Sequence, residues 1–340
     1  DVEGTKTMVY YPVDGVSPMQ KLQMVTQEGV NVEVVAIHGN FDDAQSAVKR
    51  IFTDEETRAK LDRDGMMLSS ANSINWGRLA PQIAYYVSAY CDMVKSGAVK
   101  MGEKINICVP TGNFGNILAA YIAKRMGLPV NKFICASNRN NVLTDFFKNS
   151  GTYDKNRDFY TTTSPSMDIL ISSNLERLLF FASDFNDKLV AELMQRLTTE
   201  GSYQAPEAVF AKIAADFDAG CCDDKQTAET IRALWENEHY LSDTHTAVAV
   251  RVYEDYRART GDQTPTVIAS TASPFKFCRS VIEALGGTLE KDDVSQLAVL
   301  TDLTGVPAPA PLAALADKQP RFDRVVDKSE ILSTVDLLKD

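Results

Sequence analysis

Histidine is scarce in this 340-residue chain: only His38, His239 and His245 occur, too few to build a histidine-rich metal centre. The six cysteines (Cys91, Cys108, Cys135, Cys221, Cys222 and Cys278) show no CxxC spacing and no paired histidines. Most sit in apolar runs, so they read as reduced core residues rather than disulfides or a metal site, and no metal is expected. No stretch approaches the roughly 20 consecutive apolar residues that a membrane span needs. The polar start Asp1-Val2-Glu3-Gly4 is not a signal peptide, and the expected compartment is the cytosol. Excess positive charge is missing too: 35 basic against 46 acidic residues give a net charge of −11. That excludes a general nucleic-acid or anionic-membrane surface and leaves any anionic ligand to a local site. Low-complexity tracts and internal repeats are also lacking. What remains, 44% apolar and 24% charged residues, describes a globular chain of one large or two ordinary domains.

The chain also lacks an initiator Met and opens a few residues before the β-type run Lys6 to Pro12, so it reads as a piece of a longer or processed protein. Residues 1–62 show strand, helix, strand, helix. Met8 to Tyr11 and Val32 to Ile37 are β-branched or aromatic runs closed by turn signals. Pro18 to Gln27 and a segment opened by Asp42-Asp43 carry apolar residues at helical spacing, which together predict part of a small parallel α/β domain. Residues 63–340 are expected to form a larger α/β domain. In it Asn75 caps a helix from Trp76 to about Val94, with Leu79, Ile83, Tyr86, Val87 and Tyr90 on one face. Ile105 to Val109 and Phe133 to Ala136 are buried strands with a helix from Ile117 to Met126 between them, and about 172–240 reads as an almost wholly helical insertion. Strand signal returns at Thr266 to Ala269, and a short helix is expected near Ile331 to Leu338.

Five constellations carry possible chemistry. Pro110-Thr111-Gly112-Asn113-Phe114-Gly115-Asn116 lies between a buried strand and an amphipathic helix. Its glycines admit close approach of a ligand to the backbone, and a helix N-terminus presents unpaired N–H groups to a phosphate; a tight turn with Asn116 as N-cap explains the same residues. Neither GxGxxG nor GxxxxGK[ST] is present, which argues against a dinucleotide or a nucleoside triphosphate. In Ser69 to Arg78, capping accounts for Ser73 and Asn75 but not for Arg78, a cation in a helix first turn that the macrodipole opposes. A bound anion beside it and an ordinary surface or salt-bridged arginine are the two readings. Ser164-Pro165-Ser166-Met167-Asp168 has the composition of a turn. Asp243 caps a helix with His245 in its first turn, where the imidazole tends to stay neutral and a surface position is expected. Ala269 to Pro274 ends a strand with hydroxyls, where open α/β sheets present ligand-binding groups.

Taken together, Asp14 to Pro18, Gly39 to Gln45, Ser70 to Asn75, Thr111 to Asn116, Ser166 to Asn174 and Ser270 to Pro274 resemble the long form of threonine synthase, a pyridoxal-phosphate enzyme. The motifs are ordered and span residues 9 to about 285; the last fifty residues match weakly. The resemblance implies two open α/β domains of the fold type II kind, tryptophan synthase β-like and incomplete at the N-terminus, with pyridoxal 5′-phosphate between them. It implies conversion of O-phospho-L-homoserine and water to L-threonine and phosphate. By motif, Gly112, Asn113, Phe114, Gly115 and Asn116 would cradle the cofactor phosphate and Thr271 would face the pyridine nitrogen. Asn72, Ser73 and Arg78 would bind the substrate phosphate. The family's Schiff-base lysine is expected upstream of residue 1, so the resemblance implies that this chain alone is inactive. Phe275-Lys276-Phe277 imitates a Schiff-base context, but the family carries a lysine in this helix without that role, and Lys276 reads as a solvated helix lysine. A related phospholyase acting on another phosphorylated amino acid, or a non-catalytic remnant that binds a phosphate ligand, are the competing readings.

Overall fold

The computed structural model describes residues 2–72 and 75–338. Among them nine strands follow in chain order: β1 (Thr7–Pro12), β2 (Val32–His38), β3 (Ile105–Pro110), β4 (Val130–Ser137), β5 (Thr152–Asp154), β6 (Ser202–Gln204), β7 (Phe217–Cys221), β8 (Thr266–Ile268) and β9 (Val325–Asp327). The chain divides into two compact units, residues 1–69 with 273–340, and residues 70–272.

The first unit is a three-stranded parallel sheet in the order β1-β2-β9. Alternation along β2 sends Val32, Val34 and Ala36 to one face, where Val25 of the helix Pro18–Val25 packs. Ile37 points to the other face, against Ala44, Ala47 and Ile51 of the helix Phe41–Thr53. The first helix starts where the sequence predicts and the second slightly earlier, at Phe41 rather than Asp42, because Asn40 is its cap; each has a capping box, Ser17 with Gln20 and Asn40 with Asp43. The sequence reading carries the larger domain to residue 340, whereas the structure returns residues 273–340 to the first unit. The reason is long-range pairing: Ala36 to His38 bond in register with Val325 to Asp327. Ile331 and Val335, from a 3₁₀ rather than an α-helical segment (Ile331–Leu338), bury themselves in the same core, and the Tyr10 and Thr334 hydroxyls hydrogen-bond at 2.6 Å.

The second unit is built on a parallel four-stranded sheet in the order β7-β4-β3-β8. β3 and β4 are buried on both faces, which is why they read as continuous apolar runs. One face packs Ile107, Val109, Phe133 and Cys135 against the helix Gly115–Arg125 and its neighbours; the other packs Cys108, Ile134 and Ala136 against Val248, Ala249 and Val252 of the helix Thr244–Thr260. The stretch expected to be almost wholly helical contains two strands: β6, which pairs antiparallel with β5, and β7, which joins the main sheet beside β4. On the helix Trp76–Lys95 the buried face is Leu79, Tyr86 and Tyr90, whereas Val87 is 43% exposed and lies off it. Four of the six cysteines are buried and all are unbridged, while Cys91 and Cys221 are exposed.

Candidate functional site

All four strands of the larger sheet run the same way, so their carboxyl ends open on one edge, followed by the segments that begin at Thr111, Asn138, Cys222 and Ala269. The chain leaves β3 to reach β4 on one side, and β8 lies on the other side of β3. Strand order therefore reverses between β3 and β8, the place where open α/β sheets form a ligand crevice. Thr271 lies three residues past the end of β8 and is exposed.

The loop after β3 is fixed from behind. The Thr111 N–H donates to the Ala136 carbonyl at 2.8 Å, and its hydroxyl to the Val109 carbonyl at 2.7 Å. The Ser172 hydroxyl donates to the Gly112 carbonyl at 2.8 Å, and the Asn174 backbone and side-chain amides both donate to the Asn113 carbonyl, at 3.1 and 2.8 Å. In a trans peptide the N–H points opposite to the carbonyl that precedes it. Tying down these two carbonyls turns the N–H groups of Asn113 and Phe114 away from Ser172 and Asn174. Among the described residues no acceptor meets the N–H groups of Gly112 through Asn116. Phe114 is left-handed at φ 64°, and the helix begins at the next residue. A left-handed residue leading into a helix N-terminus gathers backbone N–H groups into an anion-binding concavity, and the macrodipole adds to its preference for negative charge. These residues fit a phosphate.

One of the two readings of this loop changes. Asn116 is not the N-cap: Phe114 occupies that position without a side-chain cap bond, and the Asn116 side-chain oxygen accepts instead from the Tyr86 hydroxyl, whose ionisation burial suppresses. The unusual backbone angle falls on Phe114 and not on a glycine. Its ring is 1% exposed and lies against Phe147 and Phe217, with centroids 6.2 and 5.9 Å away; that packing offsets the roughly 1 to 3 kcal/mol such a conformation costs. Gly112 is required for a different reason, since a Cβ there would lie 2.6 Å from the Ser166 carbonyl oxygen.

The turn that abuts Gly112 is itself anchored. Pro165–Met167 is one 3₁₀ turn, and the buried Asp168 after it accepts from the Asn138 and Asn140 amides at 2.7 and 2.9 Å and from the Thr162 N–H and hydroxyl at 2.9 and 2.7 Å. Burial nevertheless pushes the Asp168 carboxyl above the usual carboxylate range, since these donors offset the desolvation only in part and Asp224 adds repulsion. His245 is not the surface residue the sequence suggests. It is 4% exposed, and its Nε2 accepts from the Ser166 N–H at 3.2 Å. Sequence reasoning could not see this, because the partner lies 79 positions away.

On the helix Trp76–Lys95, Asn75 caps as expected, its Oδ1 accepting from the Gly77 N–H at 2.9 Å. Asn72 belongs to the tight turn before it: its N–H donates to the Ser70 hydroxyl at 3.1 Å and its carbonyl accepts from the Asn75 N–H at 2.9 Å. Arg78 is exposed, and among the described residues no carboxylate pairs with it. Ser73, expected beside them, lies outside the described residues. Lys276 is half-buried in the 3₁₀ turn Pro274–Phe277, where its carbonyl accepts from the Ser17 hydroxyl at 2.7 Å. Burial pushes the Cys135 and Cys222 thiols up to about 12, so neither is a nucleophile at neutral pH.

Comparison with known proteins gives the family of the chain. Residues 2–271 match the family described as pyridoxal-phosphate dependent enzyme, and residues 246–335 match threonine synthase, C-terminal. The chain is 42% identical over 311 residues to human threonine synthase-like 1, covering 90% of this chain and 41% of that protein. It is 37% identical over 302 residues to the threonine synthase of Saccharomyces cerevisiae, covering 84% of this chain and 57% of that one. The chain thus spans about half the length of the curated relatives it matches. The crystal structure of a PLP-bound threonine synthase from Brucella melitensis superposes with a TM-score of 0.80 at 36% identity, over 99% of this chain and 65% of that one.

Proposed function

From the premise that this chain belongs to the pyridoxal-phosphate dependent enzyme family, with the fold of the threonine synthases, we propose that it is part of a cytosolic enzyme converting O-phospho-L-homoserine and water to L-threonine and phosphate. The observation that carries the cofactor half of the reading is the set of unpaired N–H groups from Gly112 to Asn116, held open by Ser172 and Asn174. In this reading the loop holds the cofactor phosphate and Thr271, at the end of β8, holds the pyridine nitrogen. When bound, the cofactor supplies the electron sink for carbanions that this chemistry requires. The protein's own part is to hold and orient. Asn72, Ser73 and Arg78 grip the substrate phosphate that must leave, which accounts for a cation in a helix first turn with no carboxylate partner among the described residues.

The test uses the complete protein that carries this chain. Incubated with O-phospho-L-homoserine, it should release threonine and phosphate in equal amounts. Release of phosphate from a different phosphorylated amino acid, and not from this one, would favour the second reading, a related phospholyase; the likeness to a protein named threonine synthase-like, without the activity itself in its name, is the observation on that side. Arg78→Lys keeps the charge but loses the planar fork, and should cost about 1.5–3 kcal/mol in kcat/KM, with KM raised and kcat lowered. Its cofactor absorbance should match the parent's, because a separate loop holds the cofactor phosphate. Parent-like kcat/KM in both Arg78→Lys and Arg78→Ala would leave Arg78 an ordinary surface arginine.

A further inference from the structure

We infer that His245 is a positioning residue for the cofactor-phosphate loop, acting through the backbone of Ser166; the inference rests on the reading of Gly112 to Asn116 given above. His245 stands in the first turn of the helix Thr244–Thr260, buried, with no substrate-facing task in the proposed reaction. The Ser166 N–H, which can only donate, makes Nε2 the acceptor and leaves the proton on Nδ1, beside the N-cap Asp243 and 3.3 Å from the Thr244 hydroxyl. One of the Asp243 carboxylate oxygens accepts from the His245 N–H at 2.8 Å and lies 3.2 Å from Nδ1, and the other accepts from the Thr246 hydroxyl. With Nδ1 donating to the carboxylate, Nε2 keeps its lone pair and accepts from the Ser166 N–H at 3.2 Å. This fixes the residue whose carbonyl oxygen is so close to Gly112 that no Cβ fits between them.

A chain of contacts therefore runs from the helix cap through the imidazole and the Ser166 backbone to Gly112. Ser172 and Asn174 pull the loop's carbonyls from another direction. Between the two restraints the loop is held with its N–H groups unpaired, so it need not reorganise when an anion arrives. Such pre-organisation lowers the cost of binding. Without an acceptor at Nε2, the Ser166 N–H must turn to find another partner, and its carbonyl turns with the peptide chain, removing the stop behind Gly112.

Four forms of the complete protein test this: the parent, His245→Gln, His245→Asn and His245→Leu. Glutamine places its oxygen near the Nε2 position and can still accept from Ser166; asparagine faces Asp243 but falls short of Ser166. The measurement is equilibrium binding of pyridoxal 5′-phosphate and, separately, of pyridoxal, which lacks the phosphate. The expected result is a loss of about tenfold in pyridoxal 5′-phosphate affinity for the Asn and Leu forms, near 1.4 kcal/mol, with pyridoxal binding unchanged and the Gln form within about twofold of the parent. Hydrogen exchange at the amides of residues 112–116 should quicken in the Asn form and not in the Gln form. Should the Leu form fail to fold, the Gln and Asn pair decides. If all variants keep the parent's affinities while the parent still prefers pyridoxal 5′-phosphate to pyridoxal, the role of His245 is overturned and the loop reading stands. Equal losses for both ligands in all variants overturn it too, as the mark of a general structural defect. A parent that does not distinguish the two ligands overturns the loop reading, and this inference with it.

Discussion

At the amino end of the four-stranded sheet, Asn106, Tyr256 and Thr264 all turn donors onto one carboxylate, Asp262, at 2.9, 2.7 and 2.9 Å. At the carboxyl end the side-chain donors gather on Asp168 and on loop carbonyls, and the backbone donors of residues 112–116 meet no acceptor among the described residues. Burial works to raise both carboxyls. At Asp262, half-buried, the donors outweigh it and hold the group below the usual carboxylate range; at Asp168, 4% exposed, they do not, and the group stays above that range. The amino end is a closed polar network that contributes stability, while the carboxyl end accepts an expensive buried carboxylate to hold loops whose own donors are left for a ligand.

The sharpest way to break that contrast is Gly112→Val in the complete protein. The added side chain meets the Ser166 carbonyl and must displace either the turn or the loop. Affinity for pyridoxal 5′-phosphate should fall about 100-fold, the equivalent of one or two charged hydrogen bonds, while overpacking costs about 1–3 kcal/mol of stability. Unchanged binding, measured by titration, would mean that the loop is only a turn.

Asp168→Asn comes next, at about 2 kcal/mol, because an amide presents an NH₂ group to donors that need an acceptor. A carboxyl held above its unfolded value lets the parent gain stability as pH falls from neutrality toward the ordinary carboxylate value, and the variant should lack that gain. Urea unfolding at several pH values would show it. Identical pH profiles would place the Asp168 shift elsewhere.

Asp262→Asn should be milder, about 1 kcal/mol at neutral pH, and of opposite sign in its pH response. Here the contribution is complete above the ordinary carboxylate value and is lost as pH falls through the lowered folded value, so the variant should show a flatter acid limb. It should leave cofactor affinity untouched. A fall in that affinity would join the two ends of the sheet and end the distinction.

Where local chemistry decides the structure, the sequence was readable. Asn75 caps its helix as its type and place demand, and the apolar cores of β3 and β4 announce themselves as strands, β3 before a glycine-rich turn and a helix. Where a distant partner decides, it was not. Phe114 takes the left-handed conformation because Phe147 and Phe217 bury its ring, and no neighbour in sequence signals that. The five residues Phe217 to Cys221 include an aspartate and a glycine and look like a break between helices until β4 is there to pair with them. His245 looked exposed because the Ser166 N–H that it accepts belongs to a turn far upstream. In the candidate site the phosphate loop was legible as chemistry, whereas the parts that hold it in place were not, since each is a contact made across the fold.

The pairing of β2 with β9 has a consequence for synthesis. Val325 leaves the ribosome about 290 residues after Ala36, its register partner, which at ordinary elongation rates is a wait of about 15–60 s. Throughout that time the far edge of β2 carries unpaired N–H and C=O groups beside an apolar run, the kind of edge that recruits other strands. Residues 70–272 form a continuous compact unit and have all their sequence available well before β9 is made. The nascent chain therefore passes through a stage in which the larger unit is complete while β2 still presents an open edge, and this is the stage at which a chaperone that binds extended apolar segments has the most to protect.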